Sequence, residues 1–187
     1  MRALLTALAV LAADPSFARE WKVDPAASTI RFVYAVDDGA AEGAFEQVEG
    51  EGMFDPDRPE DTTLELRILT RSLDLGDPME TGFALSAEWF DAGNFPVARY
   101  RLARLTPMPD GRWEALGDLT IKGRTRIMRT PIALDIAEDR AEARGEVVFD
   151  RTDFGVGVGV SGVFLTIGTE VSGAFDLVAR PAGRDQE

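Results

Sequence analysis

The sequence predicts an all-β protein, an antiparallel barrel of roughly eight strands with a short helical excursion between strands. Three observations carry this. Apolar and polar residues alternate with a period of two along most of the chain, the pattern of strands with one buried face. The alternating runs are joined mainly by hairpin-scale turn clusters. The longest break in the rhythm is Gly76 to Pro96. At about eight strands a closed sheet encloses a space just wide enough for packed side chains or one ligand. Closure also removes sticky edges. An open sandwich is the competing architecture.

In chain order, Ile30, Phe32, Tyr34 and Val36 share one face of a first strand. Gly43 to Phe54 reads as a second, with Gly50 and Gly52 allowing a bulge or bend. Asp55-Pro56-Asp57-Arg58-Pro59 is a turn. Leu64, Leu66 and Ile68 alternate in a third strand. Inside the break, Pro78 to Glu88 is expected to form a short helix, and Asn94-Phe95-Pro96 ends the excursion. Strands resume at Val97 to Leu105, turn over Pro107 to Gly111, and continue through Trp113 to Ile121, Met128 to Ile136 and Glu142 to Phe149. A glycine-rich stretch, Gly155 to Gly162, interrupts. The last strand is expected from about Val163 to Ala179, broken near Gly168.

Composition removes several kinds of chemistry. The 187 residues contain neither histidine nor cysteine. A Ser-His-Asp relay and a Cys-His pair are therefore impossible. Without imidazole or thiolate, a zinc, copper or haem site is not expected. The net charge of −13 opposes binding to nucleic acid and to anionic membrane surfaces. The length suits one domain with a real core and no staples.

The N-terminus reads as an export signal. Met1-Arg2 is the positive start, Ala3 to Ala13 a short apolar run, and Ser16-Phe17-Ala18 a small-x-small site. Cleavage is expected after Ala18, which places the mature protein in the periplasm. The expected organisation is a signal over 1–18, one barrel domain over 19–180 and a polar tail over 181–187.

Three segments together resemble the YceI-like family. They are Val23-Asp24-Pro25-Ala26-Ala27-Ser28-Thr29-Ile30-Arg31-Phe32, Gly117-Asp118-Leu119-Thr120-Ile121-Lys122-Gly123-Arg124-Thr125-Arg126, and Arg151-Thr152-Asp153-Phe154-Gly155-Val156-Gly157. Ser86-Ala87-Glu88-Trp89-Phe90-Asp91 with Phe95-Pro96 is a weaker fourth. The resemblance implies an exported lipocalin-like barrel that binds long isoprenoid lipids, of quinone or polyprenyl type, without catalysis. The chain departs from the family pattern at two places. Val36 stands where a histidine is frequent, and Glu80-Thr81-Gly82-Phe83-Ala84-Leu85-Ser86 replaces a more polar run. Polar groups that could meet a headgroup there are thus replaced by apolar ones.

The expected ligand-binding face is Phe32, Tyr34, Leu66, Ile68, Trp89, Phe90, Leu134, Phe149 and Phe154. Trp89 and Phe90 lie in the excursion and are expected to cap and gate one mouth, though both rings could simply plug it. Arg151 to Gly155 could be read as phosphate-binding. A structural turn, with Asp153 turning the chain and Phe154 packing inward, is the simpler reading. Lys122, Arg124, Arg126 and Arg129 form a basic cluster that would either meet an anionic headgroup or pair with nearby carboxylates. No catalytic residue, metal or cofactor is expected beyond a bound isoprenoid lipid. The expected partner is an isoprenoid-like amphiphile, with no nucleic acid and no stable membrane insertion. A homodimer stays open. Two other functions also stay open. One is a solid-cored interaction or stress protein acting through a protein partner. The other is a carboxylate-dependent hydrolase.

Overall fold

A computed structural model describes residues 19–55, 58–159 and 166–183. The expected signal over 1–18 lies outside the described residues, as do Pro56 and Asp57 of the first long turn and the segment 160–165. The strands are β1 (Arg19–Val23), β2 (Thr29–Val36), β3 (Gly39–Phe45), β4 (Val48–Phe54), β5 (Thr63–Leu69), β6 (Leu73–Asp74), β7 (Val97–Pro107), β8 (Trp113–Ile121), β9 (Arg124–Ile136), β10 (Ala141–Asp150) and β11 (Ile167–Pro181). Among the described residues one α-helix, α1 (Pro78–Ala84), interrupts them.

All strand pairings are antiparallel, and β1 pairs with both β4 and β11, which closes the sheet. β2 lies against β11 and β3, so β1 and β2 form one broken stave of the barrel. β3 with β4 and β5 with β6 are broken in the same way. The result is a closed eight-stave antiparallel meander, as the sequence predicts.

The break between β1 and β2 explains the first motif. Asp24 accepts from the Ala26 amide at 3.1 Å, an Asx turn next to Pro25. Val178 of β11 loses its backbone partner there and donates instead to Ser28 Oγ at 3.0 Å. Ser28 is 4 % exposed, so its hydroxyl replaces a missing ladder bond inside the wall. Asp24 also holds Arg180 at 3.0 Å.

Five parts of the chain differ from expectation. The strand expected over Gly43 to Phe54 begins at Gly39 and is divided into β3 and β4 at Glu46 and Gln47, whose amides donate to the Ser72 carbonyl and hydroxyl, each at 3.1 Å. β1 was not expected as a strand: it is only five residues long, and it is held by two tertiary partners. α1 is capped by Asp77, which accepts from Met79 and Glu80 amides at 2.8 and 3.0 Å, with Pro78 in the first turn. It stops at Ala84, not Glu88, because the Ala84 and Leu85 carbonyls are taken by Phe90 and Ala92 in overlapping turns. β9 begins at Arg124, not Met128. Lys122 (φ 49°) and Gly123 (φ 72°) form a two-residue hairpin turn with both φ positive, which pairs Ile121 directly with Arg124. β11 runs through Gly168 with a register shift before Val171, and ends at Pro181, not at 179 or 180.

β9 and β10 pair only from Ile136↔Ala141 to Ile132↔Gly145, although both strands continue. Their remaining lengths part, and a small cavity of about 370 Å³ sits at this seam.

Candidate functional site

The barrel is hollow. A cavity of about 720 Å³ runs through it, and its wall is almost wholly apolar. All nine residues of the expected face line this cavity: Phe32 and Tyr34 from β2, Leu66 and Ile68 from β5, Leu134 from β9, Phe149 from β10, and Trp89, Phe90 and Phe154 from the capped end. Alternation explains the strand residues, since every second side chain must point inward. The same rule places Phe45, Tyr100, Leu102, Ile132 and Phe175 on the wall, which the expected set left out.

Side chains leave the lumen open for a specific reason. Three strand glycines give aromatic rings somewhere to lie. A Cβ at Gly43 would sit 2.6 Å from the Phe32 ring, at Gly145 2.7 Å from Phe175, and at Gly117 2.5 Å from the Tyr100 hydroxyl. Each large ring is laid along the wall over a glycine instead of projecting across the barrel.

One end is closed by the excursion and by the segment after β10, and three of the four motifs meet there. Arg151 is 7 % exposed and donates to four carbonyls: Val156 (2.6 Å), Gly157 (3.0 Å), Gly168 (2.9 Å) and Ile167 (2.9 Å). Its guanidinium also lies 4.9 Å over the Trp89 ring. The Gly157 amide donates to Glu88 O at 3.0 Å. Gly157 has φ 65°, and a Cβ there would meet both Arg151 and Trp89. Lys122 Nζ donates to Ala87 O, Glu88 O and Gly155 O at 2.8, 3.1 and 3.2 Å. Burial lowers the pKa of both Lys122 and Arg151. Phe154 is fully buried, edge-on to Phe149 at 5.4 Å.

Three of the four residues of the basic cluster have partners within the fold. Lys122 ties the cap to the barrel, Arg126 lies 4.0 Å from Asp153, and Arg129 lies 3.0 Å from Glu114. The turn after β10 is made by Asp150 and not Asp153. Asp150 accepts from the Thr152 amide at 2.8 Å and the Thr152 hydroxyl at 2.5 Å. The Thr152 hydroxyl, then the Thr169 hydroxyl and the Thr152 amide, hold the Asp150 carboxyl below its usual pKa. A depressed carboxylate pKa stabilises the fold above the ordinary value of about 4 and loses that effect as pH falls through the folded value. Asp150→Asn is therefore expected to lower the urea midpoint at pH 7 while narrowing the gap between midpoints at pH 7 and pH 3. An unchanged gap would show that Asp150 is not coupled to folding.

Trp89 and Phe90 differ in their surroundings. Trp89 is 6 % exposed and packed against Phe154, Val156, Phe83 and Arg151. Phe90 is half-buried and meets Phe45 edge-on at 5.7 Å on the cavity wall. Trp89→Ala is expected to cost about 3–5 kcal/mol of stability. Phe90→Ala should cost less stability and more ligand retention. Thermal melts beside a retention assay would separate the two, and the opposite ranking would reverse the assignment.

Beside the cap, exposed Asp37, Met79, Glu80, Phe83 and Thr166 edge the cavity where it reaches solvent. Val36, at the first departure from the family pattern, also lies on this mouth.

A model of the YceI-like domain matches residues 21–179. The chain belongs to the YceI-like family. A UPF0312 protein of Vibrio cholerae is 26 % identical over 137 residues, covering 70 % of this chain and 72 % of that one. A UPF0312 protein of Pseudomonas fluorescens is 29 % identical over 124 residues, covering 60 % of this chain and 63 % of its own. Among solved structures, Burkholderia cenocepacia BcnA superposes with a TM-score of 0.78 at 28 % identity, covering 83 % of this chain and 98 % of BcnA. A polyisoprenoid-binding domain from Saccharophagus degradans gives 0.71 at 16 % identity, covering 86 % and 98 %, and shares the fold. In this YceI-like protein the motif residues mainly build the cap and the β1–β2 break.

Proposed function

We propose that this YceI-like protein binds and carries a long isoprenoid-type lipid, of quinone or polyprenyl class, inside the barrel, in the periplasm and with no chemical step. The observation that carries the reading is the continuous apolar cavity of about 720 Å³. Its size falls in the range of about 300–1,000 Å³ common for ligand pockets. β9 has 13 residues. At about 3.3 Å per residue and a tilt near 40°, such a strand extends about 30 Å along the axis, which suits an elongated guest. Burying one isoprene unit yields up to about 4 kcal/mol at about 0.8 kcal/mol per carbon. Association costs about 4–15 kcal/mol, so a few units suffice without a strong polar contact. The family resemblance and the polyisoprenoid-binding neighbour support the same ligand class. The export-like N-terminus supports the compartment.

The test is extraction of protein purified from a native-like host, followed by mass spectrometry. Near-stoichiometric polyprenyl or quinone species are expected. A blank extract from a protein that also refuses added isoprenoid quinone would overturn the reading.

A further inference from the structure

Four buried side-chain polar atoms have no hydrogen-bond partner among the described residues: Trp21 Nε1, Thr62 Oγ1, Tyr100 OH and Asp176 Oδ1. Three of these residues, Trp21, Thr62 and Tyr100, line the lumen. Leaving a buried polar group unpaired costs about 1–3 kcal/mol, so their grouping on one apolar cavity calls for an explanation. Tyr100 lies near the middle of the barrel, its hydroxyl turned over Gly117, and Trp21 and Thr62 lie towards the end away from the cap. Trp21 is 7 % exposed. Burial first, then Asp118, pushes the Tyr100 hydroxyl up to about 12. It is therefore a protonated donor at neutral pH, and Trp21 and Thr62 add an indole N–H and a hydroxyl further along the same lumen.

The charged groups point the same way. Two cationic residues stand among those lining the cavity, Arg31 and Arg151. Arg31 is exposed and alternates with inward Phe32, so its side chain faces outward. Arg151 is committed to its four carbonyls. Arg19, outside the lining, lies over the Trp21 ring and donates to Glu138 O. At the mouth beside the cap stand two acids, Asp37 and Glu80. An anionic headgroup would meet like charge at the mouth and, among the described residues, no uncommitted cation within.

We infer that the guest lies with its polar end inward, and that this end is an uncharged hydrogen-bond acceptor, such as a quinone or ester carbonyl, taken up by Tyr100 with Thr62 and Trp21. The tail then runs towards the capped end. This inference rests on the lipid-carrying reading and specifies the class and orientation of the lipid. It places the headgroup away from Val36 and residues 80–86, the positions where the family pattern suggested it.

The test compares three probes on the full mature chain: an isoprenyl benzoquinone, the diphosphate carrying the same tail, and the headgroup-free hydrocarbon squalene. The wild type is expected to bind the quinone more tightly than the diphosphate. Tyr100→Phe should weaken the quinone about tenfold, the scale of one hydrogen bond, and leave squalene within about twofold. The same variant should not lower the Tm of the empty protein, because it deletes an unpaired hydroxyl. Thr62→Val provides a second variant with the same expected pattern. Preference for the diphosphate, or equal loss for quinone and squalene, would overturn the inference while the lipid-carrying reading stands. Failure of the wild type to bind any probe would overturn both.

Discussion

Arg151→Met is expected to destabilise the protein by about 3–5 kcal/mol, as much as removing the Trp89 ring. Methionine keeps the apolar stem and removes every donor. Four carbonyls, of Val156, Gly157, Ile167 and Gly168, then lose their shared partner at once. Two of them belong to the segment that crosses the barrel end and two to the start of β11, so the guanidinium fastens the cap to the wall. The Trp89 ring loses the cation above it as well. A domain of this size shifts its Tm by about 2–4 °C per kcal/mol, so a fall of roughly 10 °C is expected. Arg151→Lys should recover little, because an ammonium cannot reproduce the planar fork that reaches carbonyls on both sides. Urea unfolding measures the change. A loss below about 1 kcal/mol would show that the cap is held by its apolar cluster alone.

The largest functional effect is expected from filling the lumen. Ala143 of β10 lines the cavity and faces Leu134 and Leu177 across its two ladders. Ala143→Trp puts an indole into empty space, so the empty protein should be no less stable than the wild type, in contrast to overpacking a full core. The displaced volume removes contact for about one isoprene unit, worth up to about 4 kcal/mol, and affinity should fall by about 100- to 1,000-fold. Titration with an isoprenoid quinone, beside a thermal melt, reads both quantities. Unchanged affinity would move the binding site out of the barrel. A large loss of stability would mean that the wall relaxes into the lumen and the hollow is smaller than it looks.

The two variants separate what holds the barrel from what the barrel holds. They also show where the sequence is legible. Strands that obey period-two alternation over seven or more residues were readable, because the face of each residue follows from its parity. That is why Phe32, Tyr34, Leu66, Ile68, Leu134 and Phe149 were placed on the inner wall. β1 was missed because its alternation, with Trp21 and Val23 inward and Glu20 and Lys22 outward, lasts only five residues beside an export-like leader. The end of α1 was set by turns that compete for its last carbonyls. Arg151 and Lys122 could be seen only as charges in motifs. Their geometry makes them clamps, because the carbonyls they satisfy come from segments far apart in the chain. A mid-strand glycine next to an aromatic strand position is a weak signal, and Gly43, Gly117 and Gly145 show what it can mean.

By itself the sequence determined the class of fold, the antiparallel order, the side of each strand that turns inward and the family. All of these follow from local spacing and from motifs that bend the backbone in a fixed way. Only the tertiary structure decided that the inside is hollow, that the charged motif residues lock a cap, and that three polar atoms wait unpaired on an apolar wall. Those properties depend on distances between strands that the chain brings together only by closing, and periodicity carries no information about the width of the space it encloses.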